Sequence, residues 1–373
     1  MEKKKTTLNN LQFLRFLASF IVVFAHAELY EFRGENVSGG FFNLGGLGVD
    51  VFFVLSGFIM VHVSQGISGN RLSASGIFFI KRLARVFPLY AFFTLLTVAL
   101  SYFFVHHPFD HNLSLEQNYN AHKTDLTYIW QSLTFSNYGV VPIFSIGWTL
   151  VYEFWFYVLF AIFIASCLNV YVFFASYAVI IVTANYFGIA KVGPMNALMS
   201  VQMLEFVAGI FLYAIYNKTR SINSKAWFVF LLSLLAAFLL LAHDDPYFIV
   251  AFASDLNRRV VLWGGAAFCI VFFFLSLEGI FVPRKLFIFL GDASYSIYLT
   301  HWFCMTLIPF AFWSIGWFPK GSVAIYVFIS VAIASSISVL AYVGIERPLN
   351  QYLQGKIKAL TSRVKVGYQT APG

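Results

Sequence analysis

The sequence predicts an all-α, polytopic membrane protein with about ten transmembrane helices. Of its 373 residues, 60% are hydrophobic and 11% are charged, whereas soluble domains carry about 25% charged residues. The hydrophobic residues are gathered in segments of about 20 residues, the length at which an α-helix crosses the hydrocarbon core. The net charge of +8 is explained by basic cytoplasmic loops, so it does not indicate nucleic acid as a partner.

Ten such segments follow one another along the chain, and each is long enough for one membrane helix. They run near Leu11–Tyr30, Leu47–Ser64, Val86–His106, Ile146–Ala165, Leu168–Phe187, Ala197–Tyr216, Trp227–His243, Val260–Leu277, Ile288–Phe312 and Val323–Ile345. The residues that follow are polar and basic. The chain is therefore predicted to consist of a membrane domain, residues 1–352, and a basic cytoplasmic tail, residues 353–373.

The distribution of Lys and Arg orients these spans. With the N-terminus in the cytoplasm, 17 of the 24 Lys and Arg residues fall in cytoplasmic segments, six fall in outer segments, and Arg15 lies within a span. Cytoplasmic loops carry an excess of these residues, so both termini are predicted to be cytoplasmic and the tail to lie near anionic lipid. Ala25-His26-Ala27 after an apolar run also resembles a signal-peptide cleavage site, but Arg15 and His26 interrupt that run and favour a membrane helix.

Arg15 and His26 lie within the first span, with ten residues between them. A charge at the centre of a membrane helix costs about 2.5–3.5 kcal/mol on insertion scales, so such residues usually have a function. Eleven steps of about 1.5 Å separate the two side chains by roughly 16 Å along the helix. This spacing suits a charged ligand that is held near one face of the bilayer and reacts deeper in.

Three further ionisable residues are predicted near the depth of His26, in the outer half of the bilayer. Asp50 begins an inward span, Glu153 lies about two turns into another, and His301 lies far along an outward span. Two imidazoles and two carboxylates then form a polar centre, in which a carboxylate bonded to one imidazole nitrogen raises the basicity of the other. The alternative is structural, with each buried His satisfying a carbonyl. Glu205 lines the same cavity or pairs with a neighbouring helix.

Two short motifs suit an anionic ligand. Lys81-Arg82-Leu83-Ala84-Arg85 precedes the third span on the cytoplasmic side, where Arg forms bidentate bonds with phosphate. An ordinary positive-inside anchor is the alternative. Ser56-Gly57 lies in the second span, where two small residues allow a ligand or another helix to approach closely.

The longest outer loop, residues 107–145, contains His107, His111 and His122. Histidine is a common metal ligand. The spacing of these residues matches no standard zinc pattern. A solvated loop is therefore expected, and no metal site.

As an ordered set, these motifs resemble the acyltransferase-3 family of bacterial membrane O-acyltransferases. The resemblance covers the chain from about Leu11 to Pro348. Its marks are the Arg15–His26 pair and the runs GVDVFFVLSGF (48–58), KRLARVFPLY (81–90), SIGWTLVYEFWFY (145–157), GDASYSIYLTHWF (291–303) and IERP (345–348). The TLVYEFWFY stretch resembles the exopolysaccharide acetyltransferase branch most, which favours acetyl as the transferred group.

The resemblance implies helices arranged around a central cavity, a cytoplasmic acyl-CoA donor and an extracytoplasmic or lipid-linked glycan acceptor in the bacterial inner membrane. Acetyl-CoA is then a co-substrate, and no permanently bound cofactor is expected. The expected catalytic residues are His26, Glu153, Asp50 and Arg15; the expected acyl-CoA-binding residues are Lys81, Arg82, Arg85, Ser56 and Gly57; His301 and Glu205 are further cavity candidates.

In the mechanism this suggests, the basic run at 81–85 holds the CoA phosphates and the pantetheine arm passes Arg15. His26 acts as base or as transient acyl carrier, oriented by Glu153 or Asp50. The main alternative function is a transporter or flippase, because intramembrane His, Glu and Asp also form proton relays.

Overall fold

The computed structural model describes residues 8–29, 45–65, 70–107, 119–137, 140–189, 191, 193–219, 224–243, 260–316 and 323–361. Within these ranges the chain forms helices and no strands, which confirms the predicted all-α class. Tyr30 at the end of the first predicted span, His111, and the tail beyond residue 361 lie outside the described residues.

The described helices are α1 (Asn9–Leu29), α2 (Gly45–Ser64), α3 (Arg71–His106), α4 (Leu126–Leu133), α5 (Trp148–Ser166), α6 (Val170–Tyr186), α7 (Met195–Leu198), α8 (Met203–Thr219), α9 (Ser224–His243), α10 (Gly265–Ser276), α11 (Lys285–Asp292), α12 (Ser294–Ser314), α13 (Val323–Ala341) and α14 (Arg347–Thr361). Single 3₁₀ turns occupy Ala121–Thr124 and Ser145–Gly147, and π turns at Val260–Gly264 and Tyr342–Glu346 lead into α10 and α14.

Five stretches of the described chain are long and apolar enough to cross a membrane. They are Asn9–Ala27, Gly45–Ser64, Arg71–His106, Ser145–Ser166 and Ala324–Thr361. Shorter apolar helices occupy Val170–Tyr186, Trp227–Ala236 and Val260–Ser276. The chain is therefore a helical membrane protein, and the count of ten spans stays a prediction.

Two predicted segments have different bounds in the structure. Helix α3 is 36 residues long and begins at Arg71, because the Asn70 side chain caps it by accepting hydrogen bonds from Leu72 N and Ser73 N. The basic run at 81–85 therefore lies within a helix rather than before one. The predicted ninth span is divided at Ala293 into α11 and α12.

The predicted domain boundary at residue 352 falls inside α14. The first part of the predicted tail is thus a helical continuation of the membrane domain. Gln354 Nε2 donates a hydrogen bond of 3.1 Å to the Lys81 carbonyl, which fastens α14 to α3 beside the basic run.

Glycines bring α2 into close contact with its neighbours. A Cβ atom at Gly48 would lie 2.5 Å from the Ala18 carbonyl oxygen of α1, and one at Gly57 would lie 2.0 Å from the Phe206 carbonyl oxygen of α8. Gly209 of α8 approaches the Val54 carbonyl equally closely, at 2.0 Å. Small residues permit such backbone contact between membrane helices. Of the two interpretations of Ser56-Gly57, close helix packing therefore applies to Gly57.

Replacing Gly57 with alanine is expected to destabilise the protein by about 1–3 kcal/mol or more, since the new methyl group meets backbone that has no flexible end to move aside. Thermal unfolding of the purified protein in detergent measures the effect. Gly76→Ala in α3 is the matched control, because nothing lies within 4 Å of its Cβ position and alanine favours a helix by about 0.5–1 kcal/mol. Equal losses in both variants would contradict the packing argument.

Candidate active site

A polar cavity lies between α1, α2, α3, α5 and α12. Its volume is about 100 Å³, and its wall contains three guanidinium groups and one carboxylate, those of Arg15, Arg82, Arg85 and Glu153. Ser56 also lines it, whereas Gly57 is turned toward α8. The cavity therefore joins the predicted basic motif, the arginine of the first span and the acidic residue of the fourth.

The arginines come from two helices. Arg82 and Arg85 stand three residues apart on α3, so they lie on one face of that helix. The Arg82 guanidinium lies 5.7 Å from the centre of the Phe78 ring, one turn earlier, a geometry that stabilises a cation. Arg15 reaches the same cavity from the second turn of α1. Three guanidinium groups that converge from separate helices provide planar donors suited to phosphate or other anionic groups.

Glu153 is held at the cavity wall by two hydroxyl groups. Tyr157, one turn further along α5, donates a hydrogen bond to Glu153 Oε1, and Ser56 Oγ of α2 donates to the same oxygen over 3.4 Å. The carboxylate thus places one negative charge among three positive ones, which offsets their mutual repulsion in a region of low dielectric.

His26 and His301 form a separate pair, on α1 and α12. Their ring centroids are 4.9 Å apart, with the ring planes at 61°, and the Trp302 ring lies 5.7 Å from that of His26. Among the described residues that line the cavity, neither histidine is found. The predicted group of four is therefore divided: the two imidazoles meet each other, while Glu153 joins the arginines.

Each imidazole is oriented by the backbone of its own helix. His26 Nδ1 lies 2.9 Å from the Val22 carbonyl oxygen, and His301 Nδ1 lies 3.2 Å from the Ile297 carbonyl oxygen. A carbonyl oxygen only accepts hydrogen bonds, so Nδ1 carries the hydrogen in each neutral ring and Nε2 is the basic nitrogen. A helical histidine reaches the carbonyl four residues back, so the backbone orients both rings at Nδ1. Orientation of His26 by Glu153 or Asp50 stays a prediction.

His301 Nε2 has an unusual environment. The His301 side chain is fully buried, and Nε2 has no hydrogen-bond partner among the residues that the structure describes. An unsatisfied buried acceptor costs about 1–3 kcal/mol. Such an atom is therefore a candidate position for a donor group supplied by a substrate.

The other predicted site residues lie apart from the cavity wall. Asp50 is fully buried in α2, and Glu205 is 1% exposed in α8. A Cβ atom at Gly264 would lie 3.0 Å from Glu205 Cγ, so Glu205 packs against the π turn before α10. Lys81 is half-buried on α3. A catalytic role for Asp50, a cavity role for Glu205 and a donor-binding role for Lys81 stay predictions.

Three tyrosines line the cavity that were not predicted from the sequence: Tyr157, Tyr295 and Tyr298. The Tyr298 hydroxyl is 2.9 Å from Thr149 Oγ1 and 3.2 Å from the Ile146 carbonyl oxygen. The sequence did contain a signal for two of these tyrosines. Tyr157 follows Glu153 by four residues and Tyr298 precedes His301 by three, and both spacings place the paired side chains on one face of a helix.

Hydrogen bonds fasten the start of α12 beside the arginines. The Tyr295 hydroxyl donates to the Val86 carbonyl oxygen over 2.7 Å, which ties α12 to the residue after Arg85. Ser296 N and Oγ donate to Glu346 Oε2 over 3.1 and 2.5 Å, respectively. The π turn before α14 is thereby joined to α12, and this wall of the cavity is fixed from two sides.

Comparisons with known proteins agree with this chemistry. The sequence profile of a family described as "Acyltransferase domain" (Acyl_transf_3) matches residues 8–342. "Exopolysaccharide production protein ExoZ" of Rhizobium meliloti (strain 1021) is 29% identical over 344 residues, which are 89% of this chain and 97% of that protein. "Putative acetyltransferase ORF330" of Acidianus two-tailed virus is 26% identical over 298 residues, 77% of this chain and 80% of that protein. No solved structure matches the chain significantly.

Proposed function

This chain belongs to the acyltransferase-3 family, whose profile spans residues 8–342, and we propose that it transfers an acetyl group from cytoplasmic acetyl-CoA to a hydroxyl of an extracytoplasmic or lipid-linked polysaccharide. One observation carries the proposal: α1 presents Arg15 to an arginine-lined cavity and, further along, His26 to a second imidazole. A relative named for exopolysaccharide production and another named as a putative acetyltransferase support a polysaccharide acceptor and an acetyl group.

The proposed location is the bacterial inner membrane, with ten spans and both termini in the cytoplasm. Five long apolar helices and three shorter ones support this arrangement. The excess of Lys and Arg in alternate loops supports the orientation. In that orientation the first residues of α1 are cytoplasmic, so Arg15 lies in the inner half of the bilayer and His26 in the outer half.

The donor is proposed to enter the cavity from the cytoplasm. Arg82 and Arg85, with Lys81 beside them on α3, bind the phosphates of CoA through charge-assisted hydrogen bonds. The uncharged pantetheine arm then extends past Arg15 toward the outer half of the protein. Binding the phosphates at a fixed point positions the thioester, which reduces the entropy cost of the reaction.

The chemistry is proposed to take place at the histidine pair. The acceptor oxygen attacks the thioester carbonyl carbon, a C–O bond forms, and the C–S bond breaks. The hydroxyl proton passes to His26 Nε2 and from there to the departing CoA thiolate. His301 Nε2, which lacks a partner among the described residues, accepts a hydrogen bond from a neighbouring hydroxyl of the glycan and so positions the acceptor.

A covalent route uses the same atoms. His26 Nε2 attacks the thioester carbonyl carbon first, a C–N bond forms, and the C–S bond breaks to release CoA thiolate. The acceptor oxygen then attacks the acetyl carbon, the C–N bond breaks, and the hydroxyl proton passes to the freed Nε2 and from there to the thiolate. Rapid acid quench after mixing with labelled acetyl-CoA distinguishes the two routes. Label bound to His26 supports the carrier, and its absence during turnover supports the base.

The proposal is tested by transfer of labelled acetyl from acetyl-CoA to surface glycan in membrane vesicles that contain the protein. We expect transfer in vesicles with the parent protein and none in vesicles without it. Movement of a glycan across the membrane without consumption of acetyl-CoA would overturn the proposal in favour of a transporter or flippase.

A further inference from the structure

We infer that Tyr298 determines the length of the transferred acyl group, because it forms the wall between the donor cavity and the histidine pair. The inference rests on the proposed function and deepens it: it gives the preference for acetyl a structural cause. Tyr298 thereby acts as a specificity-determining residue, in addition to the groups proposed to bind the donor and to transfer the proton.

Tyr298 contacts both the cavity and the histidine pair. Its side chain lines the cavity that contains Arg15, Arg82 and Arg85. Its ring centroid is also 5.8 Å from that of His301, which in turn is 4.9 Å from the ring of His26. The tyrosine ring therefore stands between the cavity and the histidines. A donor held by its phosphates at α3 that reacts at His26 brings its acyl group to this ring.

The Tyr298 ring is held rigidly in place. The Tyr298 side chain is 7% exposed, and its ring packs edge to face on Phe52, with centroids 6.2 Å apart. Its hydroxyl bonds to Thr149 Oγ1 at 2.9 Å and to the Ile146 carbonyl oxygen at 3.2 Å. The ring is thus held at both ends, by packing and by hydrogen bonds. A longer acyl chain has to break those hydrogen bonds to displace it.

The end of the cavity beside Tyr298 is small. The whole cavity, from the arginines to Tyr298, has a volume of only about 100 Å³, so its Tyr298 end admits no more than a small group. Phe52 and Thr149 contact Tyr298 at this end and carry no charge. A pocket of this kind discriminates between homologous ligands by about 10- to 200-fold per methylene. We expect this pocket to discriminate against acyl groups longer than acetyl.

The experiment compares acetyl-, propionyl- and butyryl-CoA as donors in vesicles that contain the parent protein, Tyr298→Phe or Tyr298→Ala. The quantity measured is the ratio of kcat/KM for butyryl to that for acetyl, which does not depend on how much protein is folded. We expect the parent to favour acetyl at least tenfold. Tyr298→Ala should raise the ratio at least tenfold, and Tyr298→Phe, which keeps the ring, should raise it less.

Tyr119→Ala is the matched control. The Tyr119 hydroxyl is 3.0 Å from Thr306 Oγ1 on the same helix α12, and its side chain is 2% exposed. The substitution therefore removes a comparable buried tyrosine, which precedes the 3₁₀ turn at Ala121–Thr124, and its hydrogen bond to a threonine of α12. Tyr119 is not among the described residues that line the cavity. An unchanged donor ratio in Tyr119→Ala is expected, and a ratio raised as much as in Tyr298→Ala would overturn the inference.

The remaining outcomes are also decisive. A parent protein that uses butyryl-CoA as well as acetyl-CoA overturns the inference and leaves the proposed function intact. A parent that transfers no acyl group from any CoA ester overturns the proposed function itself. Where Tyr298→Ala fails to fold, Tyr298→Leu, which leaves a smaller void, replaces it, and an unchanged ratio in that variant overturns the inference.

Discussion

Replacing His26 with glutamine is expected to reduce acetyl transfer by about 10²- to 10⁴-fold, the usual contribution of a general base. The expected loss depends on one ring nitrogen of His26, Nε2. Because His26 Nδ1 is engaged with the Val22 carbonyl oxygen at 2.9 Å, Nε2 is the atom left to accept the acceptor proton or to carry the acyl group. Glutamine fills a similar volume but supplies no basic nitrogen. The measurement is the initial rate of labelled acetyl transfer at saturating acetyl-CoA.

His62→Gln provides the matched control. His62 also lies on a membrane helix, the last turn of α2, and its ring packs on Phe58 and Tyr213 with centroid distances of 6.3 and 5.9 Å. It contributes neither to the pair nor to the cavity wall, so that variant should keep a rate within a few-fold of the parent. A folded His26→Gln protein with more than about a tenth of the parental rate would remove His26 from the chemistry.

Replacing Arg85 with glutamine is expected to raise KM for acetyl-CoA by about ten- to 150-fold, with a smaller change in kcat. A hydrogen bond to a charged group contributes about 1.5–3 kcal/mol, and each 1.4 kcal/mol corresponds to about a factor of ten in affinity. Arg82→Gln should act in the same direction, since both guanidinium groups line the same cavity from α3. Initial rates over a range of acetyl-CoA concentrations give both parameters.

A truncated donor makes this test specific. S-acetyl-pantetheine has the thioester arm but no phosphate, so its KM should be nearly the same for the parent and for Arg85→Gln. An equal loss with both donors would mean that Arg85 acts on the fold or on the arm, and not on the phosphates. Arg71→Gln is the control on the same helix, because Arg71 is exposed at the start of α3 and should leave both KM values unchanged.

The identity of the charged cavity residues was predictable from the sequence. Arg15, Arg82, Arg85 and Glu153 all stand in or beside apolar segments, where the cost of burying a charge limits such residues to functional or paired positions. The family resemblance named the same four. Length and hydropathy likewise sufficed for the all-α class, since every backbone polar group within a bilayer has to be satisfied internally.

The partners of those residues were not predictable in the same way. His26, His301 and Glu153 were expected to meet because their predicted depths in the membrane are similar. Depth along a span does not give the direction in which a side chain points. In the structure Ile143 and Phe144 are fully buried ahead of α5, so this helix begins among other helices. The depth of Glu153 in the membrane stays a prediction, whereas its place on the cavity wall with Arg15 depends on how α5 packs against α1 and α3.

The sequence by itself determined that this chain is a helical membrane protein and which charged residues lie within its apolar segments, because composition, helical period and the cost of burying charge are local properties. The order of its motifs indicated the acyltransferase-3 family by resemblance. Only the tertiary structure decided that Ser56 faces the cavity while Gly57 packs on α8, and that Tyr298 lines the cavity with its ring 5.8 Å from that of His301. Which side chains face the cavity depends on the rotation of each helix about its axis and on contacts between distant segments. Both are determined by the packing of the whole chain.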